Sequence, residues 1–139
     1  MQVAEIMSSP PVTVGPDTTL REASGVMLEE HVGSTLVVDN ALVGILTRSD
    51  VLRATYAMGE SLAELPVARG MSEDVVTTAP ETSIRHALEL MKAEHIKKLP
   101  LIEDFELVGI VTATDIAVHQ PKRVQEVKSA IGRQDNWTD

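Results

Sequence analysis

At 139 residues the chain has the length of one domain, and a chain of that size buries roughly two-thirds of its unfolded surface, enough for a real core. Its 21 acidic against 12 basic residues give a formal charge of −9, which repels nucleic-acid phosphates and anionic lipid alike, so an anionic ligand needs a local pocket of positive charge. Cysteine is absent, which excludes disulfides, thiolate nucleophiles and cysteine metal sites; no apolar run approaches the roughly 20 residues of a membrane span, and residues 1–5 lack a signal peptide's basic start, so the expected location is the cytoplasm.

Hydrophobic residues make up 43% of the chain, yet Tyr56, Phe105 and Trp137 are its only aromatics, so the core has to come from Val, Leu, Ile, Ala and Met. The chain repeats itself. At one constant offset Met7-Ser8 falls on Met71-Ser72, Val12-Thr13 on Val76-Thr77, Pro16 on Pro80, Met27 on Met91, and Glu30-His31 on Glu94-His95. One added residue near Asp104-Phe105 then carries Leu42 to Ile45 onto Leu107 to Ile110, Thr47 onto Thr112, and Asp50 onto Asp115.

Each copy predicts the same elements in order. A short extended piece (12–14; 75–78) runs to a proline, and 17–19 or 81–83 offer N-caps for a helix whose apolar face is Leu20, Ala23, Val26 and Met27, or Ile84, Ala87, Leu88 and Met91. Two strands joined by a polar turn follow, 35–38 with 42–46 and 99–102 with 107–111, and a second helix begins after Thr47 or Thr112. The first repeat takes residues 1–58, a linker 59–66, the second repeat 67–121, and a short helix with a loose tail 122–139. The fold class is α/β of the α+β kind, two βαββα repeats forming one structural domain, because about 60 residues alone make a marginal core.

The chemistry concentrates in Gly44-Ile-Leu-Thr-Arg-Ser-Asp50 and Gly109-Ile-Val-Thr-Ala-Thr-Asp115, each where a strand turns into a helix. The glycines would let a ligand approach the backbone, the hydroxyls of Thr47, Ser49, Thr112 and Thr114 suit phosphate or sugar oxygens, and a fixed carboxylate accepts both hydroxyls of a ribose. Thr-x-x-Asp is equally a capping box, which needs no ligand at all. Recurrence of glycine, second hydroxyl and acid in both copies favours the ligand. His31 and His95 at helix ends fit the negative pole of a helix better than a metal, and Met27 and Met91 lie at core spacing.

These motifs together resemble a tandem pair of CBS domains, the arrangement termed a Bateman module, over nearly the whole chain from Val3 to Val118. The resemblance implies βαββα units related by a pseudo-twofold axis and packed sheet to sheet, assembly into a homodimer, and AMP, ADP, ATP or S-adenosylmethionine bound in clefts between the halves. It carries over Asp50 and Asp115 as the ribose acids, with Thr47, Ser49, Thr112 and Thr114 near phosphate and sugar. Thr13 and Thr77 would line the adenine pocket, with Val32, Gly33 and Ser34, or Ile96, Lys97 and Lys98, as its opposite wall. Lys97-Lys98 stand where the first copy has Gly33-Ser34, so the lysines either hold phosphate or are exposed strand-end charges, and affinity should differ between clefts. Leu36 replaces the proline found at position 100, which makes the first cleft's shape less defined.

No nucleophile with a base and no carboxylate pair suggests catalysis, so the chain is expected to be no enzyme, to carry no prosthetic group, and to report an adenine nucleotide to a target protein. A ligand-free structural homodimer or protein-interaction module is the alternative, and nucleic acid is a poor third.

Overall fold

The computed structural model describes residues 1–131; the expected tail, 132–139, lies outside them. Among the described residues there are two compact units, and they are not the two sequence repeats: one is Val12–Val75, the other joins Met1–Pro11 to residues 76–131. They are called the first and second unit below.

In the first unit strand β1 (Thr13–Val14) leads to helix α1 (Leu20–Glu30), the hairpin β2 (Ser34–Asp39) and β3 (Ala41–Thr47), and helix α2 (Arg48–Met58). The sheet order is β1-β2-β3, with β1 parallel to β2 across the α1 crossover and β3 antiparallel. The second unit has helix α3 (Ile84–Glu94), the hairpin β4 (Lys98–Glu103) and β5 (Glu106–Thr112), helix α4 (Ala113–His119) and helix α5 (Val124–Ile131). The expected extended piece of the second copy survives only as a bridge between Thr78 and Leu101. The proline explains this: in the first unit the Leu36 N–H donates to Val12 O at 3.0 Å, and its counterpart Pro100 has no N–H to give Val76.

Helices α1 and α3 start where the sequence places their caps. Thr19 Oγ1 accepts from Glu22 N at 3.1 Å while the Glu22 carboxylate accepts from Thr19 N, and Ser83 Oγ accepts from His86 N at 3.0 Å. Both stop at a histidine, His31 or His95, with φ of 56° in the left-handed region. The added residue of the second copy falls in the hairpin turn Asp104-Phe105, where both residues take positive φ.

The cores follow the expected apolar faces except at Val26, which is half-buried and stands in neither core cluster. Leu20, Ala23, Met27, Val37 and Leu46 pack in the first unit and Ile84, Ala87, Leu88, Met91, Leu99 and Leu101 in the second. The connection also contributes, since Leu65 and Val67 are fully buried in the first core. Val67 N donates to Thr18 O at 2.7 Å and Leu20 N to Leu65 O at 2.8 Å. The same bonds recur in the second unit from the chain's start: Val3 N to Thr82 O at 2.8 Å and Ile84 N to Met1 O at 3.1 Å, with Val3 fully buried. The segment leading each repeat therefore belongs to the unit built by the other. Helix α5 is likewise structural, placing Val127 and Ala130 in the second core.

Candidate functional site

Each unit gathers its own set of expected ligand residues at the junction of hairpin and second helix. In the first, Ser34 pairs with Thr47 across β2 and β3, Gly33 O accepts from Arg48 N at 3.2 Å, and Thr13 lies beside Leu36 on the next strand. In the second, Lys98 pairs with Thr112 and Lys97 O accepts from Ala113 N at 2.8 Å. Thr77 precedes the Thr78 bridge and is exposed, as Thr13 is. Val32 and Ile96 are half-buried and pack against the core beneath. Lys97 and Lys98 are half-buried rather than exposed strand-end charges, and both are engaged in interactions.

The two acids occupy identical capping boxes. Thr47 Oγ1 accepts from Asp50 N at 3.2 Å and Asp50 Oδ2 from Thr47 N at 2.9 Å; Thr112 Oγ1 accepts from Asp115 N at 3.0 Å and Asp115 Oδ2 from Thr112 N at 2.9 Å. Capping uses one oxygen of each carboxylate and fixes the orientation of the other, so the two readings of Thr-x-x-Asp are compatible. The second hydroxyls are not equivalent, because Ser49 is buried and Thr114 is exposed. The surroundings differ too. Arg53, one turn beyond Asp50, places its guanidinium 2.9 Å from Asp50 Oδ1, whereas Val118 stands at that position after Asp115.

The glycines serve the chain itself. A Cβ on Gly44 would lie 2.6 Å from Met71 Sδ and 2.9 Å from Ser72 O, and one on Gly109 would lie 2.7 Å from Met7 Sδ and 2.9 Å from Ser8 O. The close approach read from the sequence as room for a ligand is filled by the Met-Ser segment, which bridges Ser72 to Ile45 and Ser8 to Ile110.

Sequence reasoning missed a cavity of about 430 Å³ on the first unit, lined by Ser24, Met27, Val32, Arg48 and Val51 among others. Of the expected ligand residues Val32 alone lines it. The signal was present as differences between copies: Ser24 answers Leu88 and Arg48 answers Ala113. Among the described residues no group of three or more His, Cys, Asp or Glu is placed to hold a metal, and no helix is long and apolar enough to cross a membrane.

Comparison with known proteins agrees with this architecture. The family model for the CBS domain matches residues 3–57 and 63–121. The CBS domain-containing protein YhcV of Bacillus subtilis is 35% identical over 119 residues, covering 85% of this chain and 84% of that protein. An inosine-5′-monophosphate dehydrogenase of Methanocaldococcus jannaschii is 34% identical over 132 residues, but the match spans 93% of this chain and 25% of the enzyme. Among solved structures, the CBS domain pair of protein MJ0100, in complex with 5′-methylthioadenosine and S-adenosyl-L-methionine, aligns with a TM-score of 0.79 at 25% identity, covering 88% of this chain and 98% of that one. Hypoxic Response Protein I, with two coordinated zinc ions, aligns at 0.77 and 28%, covering 87% and all of that chain. With two matched repeats spanning most of its length, this chain belongs to the CBS domain family.

Proposed function

We propose that this chain is a regulatory module rather than an enzyme, that it binds an adenosyl ligand on each unit through Asp50 and Asp115, and that it passes the bound state to a target protein. The observation that carries this reading is the recurrent cap: in both units a carboxylate is held by one oxygen in a Thr-Asp box, the arrangement a ribose diol needs of a fixed acceptor. The adenosyl ligands of the MJ0100 CBS pair support the ligand class. AMP, ADP, ATP, S-adenosylmethionine and 5′-methylthioadenosine are the candidates, and the half-buried Lys97 and Lys98 favour a phosphorylated or carboxylate-bearing member in the second unit. We place the module in the cytoplasm as a homodimer. Leu28 of α1 and Leu52 and Tyr56 of α2 are exposed, an apolar surface that a second copy would cover.

Calorimetric titration with these five compounds tests the reading. Micromolar binding by one of them, abolished in one site by Asp115→Ala, is the expected outcome. No heat and no thermal stabilisation with any of them would leave Asp50 and Asp115 as helix caps and favour the structural homodimer.

A further inference from the structure

Although the two capping boxes match atom for atom, the carboxylates they hold are not equally open. Asp50 has Oδ2 on the Thr47 N–H and Oδ1 on the Arg53 guanidinium, so both of its oxygens are engaged. Its side chain is 12% exposed, and that of Arg53 is 64% exposed. Asp115 has Oδ2 on the Thr112 N–H, and among the described residues no cation forms an ion pair with it. The reason is one substitution between the copies. The residue one turn after Asp115 is Val118, 67% exposed and without a donor.

A ribose presents two neighbouring hydroxyl donors, and a carboxylate receives both only when each oxygen has a lone pair facing them. Asp115 offers this directly. At Asp50 a diol must share Oδ1 with a guanidinium or displace it. Because Arg53 is largely exposed its pairing is weak, so the handicap is modest, about fivefold in affinity.

We propose that Arg53 is a specificity-determining residue that ranks the two sites, so that a diol-bearing nucleoside fills Asp115 first and Asp50 only at higher concentration. This rests on the adenosyl-binding reading above. It adds that the chain responds over two concentration ranges, set by an intramolecular ion pair on one side and a valine on the other. Arg53 is a positioning residue here, since it acts on the ligand through the Asp50 carboxylate.

The probe is 5′-methylthioadenosine, which carries the diol but no phosphate or carboxylate, so that Arg53 cannot act on it as an anion. Titration of the wild type should resolve two affinities. In Asp115→Ala, where the Asp50 site remains, adding Arg53→Ala should tighten binding about fivefold and Arg53→Lys less. In Asp50→Ala, adding Val118→Arg should weaken the remaining site by a similar factor. The single variants Arg53→Ala and Val118→Arg, both at exposed positions and with both boxes intact, provide the same comparison should a double variant fail to fold. A 2′-deoxy analogue, which has one hydroxyl, should lose the distinction between sites. Equal wild-type affinities, or no change on Arg53→Ala and Val118→Arg, would overturn the ranking while leaving the binding function standing. Absence of binding by the wild type to every adenosyl compound would overturn both.

Discussion

Single residues explain where the two copies part company. Thr35 occupies a core position that is Leu99 in the second copy; it is 1% exposed, and its hydroxyl has no hydrogen-bond partner among the described residues. A buried hydroxyl without a partner has lost its water for nothing, so Thr35→Val, equal in shape, should raise stability by about 1 kcal/mol. Chemical denaturation checks this, with a higher midpoint at unchanged slope expected. The glycines at 44 and 109 argue in the other direction. A methyl at either meets a methionine sulfur, which can bend away, and a backbone carbonyl, which cannot, so Gly44→Ala and Gly109→Ala should each destabilise by about 1–3 kcal/mol. Trimming the methionine in Gly44→Ala/Met71→Ala should not restore stability, because the Ser72 carbonyl remains 2.9 Å away. That outcome would assign these glycines to the chain's own packing.

At the scale of elements, caps decide where the functional helices begin. Thr47→Ala and Thr112→Ala each remove an acceptor for the first turn and should cost about 1 kcal/mol, read by thermal unfolding. Each should also weaken ligand binding at its own unit, since the box that orients the acid is then open. Much of this level was legible in the sequence. Thr19 and Ser83 marked helix starts, the apolar faces of α1 and α3 were correct but for the half-buried Val26, and the hairpins were displaced by a residue at most. What was not legible depends on partners far along the chain. The loss of the second copy's first strand follows from one proline whose missing N–H would have bonded Val76, a fact that needs the register to be known. The candidate site showed the same limit: the sequence placed the acids and their hydroxyl neighbours at the strand-to-helix junctions, but the burial of Ser49 and the guanidinium on Asp50 arise from side-chain placement. The cavity beside Arg48 was hidden for a similar reason, because Ser24 reads as an ordinary polar position until it is set against Leu88, its larger counterpart buried in the second core.

For the whole molecule, the repeat in sequence and the unit in space are different objects. Residues 59–66, read from the sequence as a linker, carry Leu62 and Leu65, which pack into the first core, while Val3 packs into the second. Val3→Ala and Val67→Ala therefore separate the two descriptions. Each should cost about 2 kcal/mol, and the loss of amide-exchange protection should fall on the other repeat's elements: on α3 to α5 for Val3, on α1 and α2 for Val67. Protection lost instead in the repeat that carries the mutation would overturn the exchange.

That reciprocal loan of leading segments sets a rule of parity. A repeat of this kind, taken alone, has lent its first turn and lacks the one it needs, so its own sequence does not close a core. Two repeats settle the account completely, each hosting what the other lent. A third copy added to this chain would bring one more leading turn and one more helix start, and the existing pair, already closed on itself, has neither a host for the one nor a cover for the other.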